Sequence, residues 1–167
     1  MQHIQTYESP LGELTFVSDG TALLGVWYEK QEPLEQLLQS PYETCNLPVF
    51  DETRRWFDLY FDGRKPDFTP PLCLVGTDFR QQVWNDLLLI PYGETTTYGA
   101  LAQQMAHRLG KSKMSAQAIG GAVGHNPISI IVPCHRVVGA DGTLTGYAGG
   151  IWRKEYLLNL EAKSCFG

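Results

Sequence analysis

In the run Ile131-Val132-Pro133-Cys134-His135-Arg136-Val137-Val138-Gly139, a cysteine stands beside an imidazole and a guanidinium at the end of an apolar, β-branched stretch. Cysteine reacts as its thiolate, and with a free pKa of about 8.5 it needs a nearby base or positive charge to be populated at neutral pH. His135 is a candidate for either task, and Arg136 for the positive charge. Adjacent residues of a strand face opposite ways, so Cys134 and His135 cooperate only if the backbone turns there. Pro133 is compatible with a strand that ends at that point. Taken by itself, the pair fits a buried structural cysteine equally well.

The surrounding sequence changes that balance. Ile90-Pro91-Tyr92-Gly93-Glu94, Tyr98-Gly99, Asn126-Pro127, Pro133-Cys134-His135-Arg136-Val137-Val138-Gly139 and Gly146-Tyr147-Ala148-Gly149-Gly150 follow one another in the chain. As an ordered set at compatible spacing, across Phe79 to Glu161, they closely resemble the O6-alkylguanine-DNA alkyltransferases. The resemblance implies that Cys134 accepts an alkyl group from a damaged base in a single displacement and, as a thioether, is not readily restored. It implies that His135 takes the thiol proton, directly or through water, that Glu161 orients the imidazole, and that Tyr98, assisted by Lys154, protonates the departing guanine. By residue type alone, Glu161 would be a surface carboxylate and Tyr98 a half-buried packing residue.

The resemblance also implies double-stranded alkylated DNA as partner, entered through the minor groove, with the damaged nucleotide rotated out of the stack. Gln117 occupies the place where most relatives carry an arginine that fills the vacated space; it can hydrogen-bond the orphaned base but brings no charge. Asn126 resembles the family's hinge residue, and Tyr147 and Ala148 a pocket wall. Ser115 and Arg136 complete the expected DNA- or substrate-binding set. No cofactor and no metal are expected, and the chain is expected to be a monomer. Relatives that bind lesions without repairing them carry tryptophan at the cysteine position, which Cys134 argues against. A thiol hydrolase also uses Cys and His, but no separate oxyanion-hole signal accompanies these.

Composition sets further bounds. Cys45, Cys73, Cys134 and Cys165 show no CxxC pairing or zinc-type His spacing, so free thiols are expected, although a metal site assembled from distant residues stays open. The N-terminus lacks a secretory signal and no apolar run reaches membrane-spanning length, so a cytoplasmic location is expected. The net charge of −5 is uneven. Residues 1 to 78 hold 5 Lys/Arg against 13 Asp/Glu, net −8, and residues 79 to 167 hold 8 against 5, net +3. Arg80, Arg108, Lys111, Lys113, Arg136, Arg153 and Lys154 are candidates for a phosphate-facing surface, though scattered solvated charges would look similar. Asp58, Asp62 and Asp67 fit a solvated acidic surface better than a metal site.

The elements that must position these residues suggest an α+β fold of two domains. Ile4–Tyr7, Leu14–Ser18 and Leu23–Tyr28, with a hairpin signal at Asp19-Gly20, predict a small antiparallel sheet, and Phe50 to Phe61 predicts a helix closed by Asp62-Gly63. By resemblance this is a ribonuclease H-like structural domain over 1–65, followed by a linker at 66–78. The resemblance assigns residues 79–167 to the alkyltransferase and DNA-binding domain. Phe79, Val83, Trp84, Leu87 and Leu88 recur at helical spacing and are expected in its core. Thr97 and Ser115 can cap helices running to Met105 and Val123, a helix-turn-helix. The second helix is nearly bare, with Ala116, Ala118, Gly120, Gly121, Ala122 and Gly124. Helical glycines cost about 1 kcal/mol each relative to alanine. Close packing on one face and close approach of DNA on the other are the two compensations available.

Overall fold

A computed structural model describes residues 1–166, excluding the side chains of Cys165 and Phe166. It divides into two compact units, residues 1–75 with 127–131, and residues 76–126 with 132–166.

The first unit is built on strands β1 (Gln2–Ser9), β2 (Gly12–Ser18), β3 (Leu23–Tyr28) and β4 (Tyr42–Thr44), in the order β3-β2-β1-β4. The first three are antiparallel neighbours and β4 pairs parallel to β1. The expected hairpin closes through the Asp19 carboxylate, which accepts the N–H groups of Thr21 and Ala22 at 2.9 Å each. Helix α1 (Glu32–Leu37) and β4 lie outside the elements expected from the sequence. The reason is physical: α1 buries only Leu34 and every residue of β4 is exposed, so neither leaves an apolar period in the sequence. Helix α2 (Pro48–Phe61) supplies an aromatic layer, with Phe57 stacked on Phe16 at 5.5 Å and Trp56 on Tyr60 at 5.1 Å. Such pairs add about 0.5–1.5 kcal/mol each beyond the area they bury.

Two irregular segments are stitched to β3. The Leu23 N–H donates to Pro71 O at 2.8 Å and the Cys73 N–H to Leu23 O at 2.9 Å, so part of the 66–78 stretch pairs with the sheet. The Val26 N–H donates to Pro127 O and the Ser129 N–H to Val26 O, which brings residues 127–131 into this unit. Within them Ile130 has φ +74°, a left-handed conformation that is uncommon for a β-branched residue.

The second unit holds helices α3 (Asp78–Leu88), α4 (Tyr98–Leu109), α5 (Ala116–Gly124) and α6 (Ile151–Phe166), and strands β5 (Thr96–Thr97) and β6 (Val137–Val138), which pair in parallel. The α3 stripe is buried at Val83, Trp84 and Leu87, whereas Leu88 is exposed because it falls on the solvent side at the last turn. Thr97 caps α4 by accepting the Ala100 N–H, and Gly110 ends it in the left-handed conformation at φ +68°, where a Cβ would be strained. Ser115 caps α5 by accepting the N–H groups of Gln117 and Ala118 at 3.1 and 3.2 Å. Ser115→Ala is therefore expected to cost about 1 kcal/mol, read as a lowered urea midpoint for this unit by helical circular dichroism. Trp84 fixes α5 to α3 by donating its indole N–H to Ala122 O at 2.8 Å.

Candidate active site

The turn demanded by the adjacent Cys134 and His135 is present. Pro133, at φ −83° and ψ 64°, centres a three-residue turn closed by the Cys134 N–H on Val132 O at 2.8 Å. Cys134–Arg136 then form one 3₁₀ turn, so the three side chains diverge instead of alternating across a sheet. Asn126 holds the turn from outside it: buried, it donates Nδ2–H to Val132 O at 2.8 Å. Its amide also reaches the thiol.

Glu161 is the anchor of the site. It lies on α6 with Lys154 and Leu157, a spacing that puts all three on one helical face, and all are buried. Its carboxylate accepts His135 Nε2 at 2.6 Å, Arg136 Nε at 2.8 Å, Arg136 Nη2 at 3.2 Å and the Gly93 N–H at 3.0 Å. These four donors fill the capacity of a carboxylate. Burial alone would raise its pKa, but the His135 hydrogen bond and the Arg136 charge outweigh burial and hold it down at about 2.

An ionised Glu161 fixes the imidazole. Burial pushes the His135 pKa down against the pull of Glu161, so the ring is neutral and donates Nε2–H to the carboxylate. The lone pair then sits on Nδ1, which is buried with no hydrogen-bond partner among the described residues. That is the arrangement of an oriented, unoccupied base. Cys134 itself is 8% exposed, and burial raises its thiol pKa, opposed by the Asn126 hydrogen bond and the Lys154 charge. The resting group is a neutral thiol whose anion has support waiting.

Arg136 and Lys154 correct one expectation. Neither belongs to a phosphate-facing surface: Arg136 is bound to Glu161, donates Nη1–H to Ile90 O at 2.8 Å and lies 5.6 Å from the Tyr92 ring. Lys154 is fully buried, and its ammonium donates to Val137 O at 2.6 Å and Thr145 O at 2.8 Å. A buried cation is tolerated only with such partners. Tyr98, brought beside the turn by the β5–β6 pair, is half-buried and donates its hydroxyl to the same Thr145 O at 3.3 Å.

The remaining expected residues lie nearby in the chain or on α5. Tyr147 is half-buried and Ala148 exposed, in a loop closed by the Gly150 N–H on Tyr147 O at 2.8 Å. Gln117 and Ser115 are exposed at the start of α5. On that helix Gly120 faces the Tyr98 ring, where an added Cβ would sit 3.9 Å away, whereas a Cβ at Gly121 or Gly124 would meet nothing within 4 Å. No packing within the unit requires those two glycines. Ile90 and Gly93 have tasks that residue types alone do not reveal. The available signal is the Pro91-Tyr92-Gly93-Glu94 turn, in which Gly93 at φ +82° aims its N–H at a carboxylate far along the chain.

Known proteins bear on the whole chain. A family profile described as 6-O-methylguanine DNA methyltransferase, DNA binding domain, matches residues 78–163. A second, described as 6-O-methylguanine DNA methyltransferase, ribonuclease-like domain, matches residues 3–74. The methylated-DNA–protein-cysteine methyltransferase of Mycobacterium tuberculosis is 44% identical over 96% of this chain and 93% of that protein. The protein of the same name from Haemophilus influenzae is 44% identical over 93% of this chain and 83% of its own length. The crystal structure of M. tuberculosis OGT in complex with DNA matches with a TM-score of 0.85 at 42% identity, covering 97% of this chain and 94% of the other.

Proposed function

Because the chain belongs to the 6-O-methylguanine DNA methyltransferase family, we infer that it repairs DNA directly, moving an alkyl group from guanine O6 irreversibly onto Cys134. The observation that carries this reading is the neutral His135, pinned by Glu161 at Nε2 and unpartnered at Nδ1 among the described residues, one residue from a buried thiol. In the reaction His135 Nδ1 takes the thiol proton, directly or through one water. The sulfur forms its bond to the alkyl carbon as the carbon–O6 bond breaks, and the electron pair leaves with the guanine. The Lys154 charge stabilises the sulfur anion as it forms. Tyr98 gives its hydroxyl proton to the departing base, exchanging its hydrogen bond on Thr145 O for one to the ring. A thioether is a poor leaving group, so each molecule acts once.

A buried guanine O6 is reached only by extruding the nucleotide. The exposed, side-chain-free face at Gly121 and Gly124 supports close approach of the duplex backbone to α5, with Gln117 entering the space left in the stack. In this reading α5 lies in the minor groove. Asn126, Tyr147 and Ala148 line the path to the thiol, and Ser115 sets the start of the helix. O4-alkylthymine is a second substrate that the same displacement could serve. The protein acts as a monomer in the cytoplasm, whose reducing conditions keep the thiol free. Among the described residues no helix is long and apolar enough to cross a membrane.

Incubation with a duplex containing O6-methylguanine, followed by peptide mapping, tests the reading. One methyl on Cys134, capped at one per protein molecule, is expected; tight lesion binding with no modified cysteine would make this a recognition protein. Gln117→Arg is expected to strengthen duplex binding several-fold at low salt and to steepen the salt dependence by about one ion, measured by fluorescence anisotropy. An unchanged salt slope would remove Gln117 from the contact.

A further inference from the structure

A second group of chemically capable side chains lies in the sheet unit. β1 and β4 pair in parallel with His3 opposite Glu43, so these two side chains share a face. Cys45 lies two residues beyond Glu43 and is held in register by its N–H on Ile4 O at 3.3 Å, which returns its side chain to that face. The result is a convergence of one nitrogen, one oxygen and one sulfur. His3 Nδ1 is 3.4 Å from Cys45 Sγ and 3.6 Å from Glu43 Oε2, and all three donor atoms lie within 4.8 Å of one another.

We propose that His3, Glu43 and Cys45 form a binding site for a divalent cation of borderline softness, Zn²⁺ above all, which clamps the edge strand β4 to β1. Zinc takes thiolate at about 2.3 Å and imidazole or carboxylate at about 2.0–2.2 Å with tetrahedral angles, which places neighbouring donor atoms roughly 3.3–3.7 Å apart. The two distances from His3 Nδ1 already fall in that range. The sulfur and imidazole donors are half-buried and preset by the sheet, while Glu43 is exposed and free to close on an ion. A thiolate with an imidazole selects against Mg²⁺ and Ca²⁺, which prefer all-oxygen shells. On binding, Cys45 gives its thiol proton to solvent, His3 coordinates through the neutral Nδ1, and water fills the fourth position. The site also has a structural task. β4 is three residues long with every side chain exposed, so apolar burial does little to hold it against β1.

The site is built from residues distant in sequence, which is why cysteine spacing does not reveal it. It is separate from Cys134 and from alkyl transfer.

The test is titration of the metal-free full-length protein with Co²⁺, followed by displacement with Zn²⁺. One equivalent giving a thiolate-to-cobalt charge-transfer band and the intense visible bands of a four-coordinate ion is expected. Cys45→Ser should abolish the charge-transfer band, and His3→Gln should weaken Zn²⁺ binding by about 100-fold or more, since even outer-shell partners are worth 10–100-fold. Glu43→Gln should weaken binding while leaving the charge-transfer band in place at saturating metal. Circular dichroism checks that each variant is folded. Methyl transfer to Cys134 should be unchanged in all three. A band that survives Cys45→Ser and disappears instead in Cys73→Ser, Cys134→Ser or Cys165→Ser would overturn the proposal, as would no cobalt–thiolate band in the unaltered chain.

Discussion

Cys134→Ala is expected to abolish alkyl transfer while leaving binding to lesion-containing duplex nearly unchanged. The thiol makes the only bond to the alkyl carbon, and the alternatives lack its surroundings. Asn126 and Lys154 support the anion at Cys134, whereas Cys45 is hydrogen-bonded to His3 at the sheet edge. The DNA-binding surface proposed on α5 does not include the sulfur, and removing one buried sulfur atom costs little structure. Single-turnover transfer from a radiolabelled O6-methylguanine duplex, paired with an anisotropy titration on the same duplex, separates the two effects. Transfer that persists would move the acceptor to another residue; binding lost together with transfer would make Cys134 a structural group first.

Glu161→Gln should produce the largest combined loss of stability and rate. An amide cannot accept four hydrogen bonds from His135, Arg136 and Gly93, and its own N–H₂ would face donors. Arg136 would then be left as a buried cation without its counter-charge, a situation that typically costs about 3–5 kcal/mol. His135 would lose the partner that fixes its tautomer, and transfer should slow by at least about 100-fold, the low end for a positioned base. Equilibrium unfolding and single-turnover transfer read these two losses independently. The pH dependence adds a signature. Glu161 has its pKa depressed in the folded state from 4.5 to about 2, so its contribution to stability is complete above about pH 4.5 and is lost as the pH falls toward 2. In Glu161→Gln that part of the acid limb should flatten. A variant with unaltered stability and an unaltered acid limb would show that the buried network is not the anchor assigned here.

Much of the site and of the fold is legible in the order of the amino acids. Cysteine beside histidine by itself leaves a nucleophile and a structural thiol equally open, and it is the ordered motifs from Ile90 to Gly150 that point to the chemistry. Strong local signals also survive folding: β3 runs over the expected Leu23–Tyr28, and Thr97 and Ser115 cap the helices they are expected to cap. These features are local, since strand alternation and capping are settled within a few residues of chain. The elements that escape a local reading do so for the same reason. α1 and β4 bury almost nothing, so they carry no apolar period, and they exist because a neighbouring strand pairs with β4 and one leucine anchors α1.

The ordered motifs around Cys134 and His135, through the family they resemble, already point to the reaction. What the charged groups do is settled by folding alone. Arg136 and Lys154 look like DNA-facing cations when the sequence is read by residue type, yet folding buries both, and a buried cation must take its partners from wherever the chain brings them. For Arg136 those partners come from the start of the second unit and from the last helix, and for Lys154 from two carbonyls beside the reactive turn. Hydrogen-bond partners at that separation leave no spacing rule in the sequence, which is why the contacts of Arg136 and Gly93 with Glu161 become visible only in three dimensions.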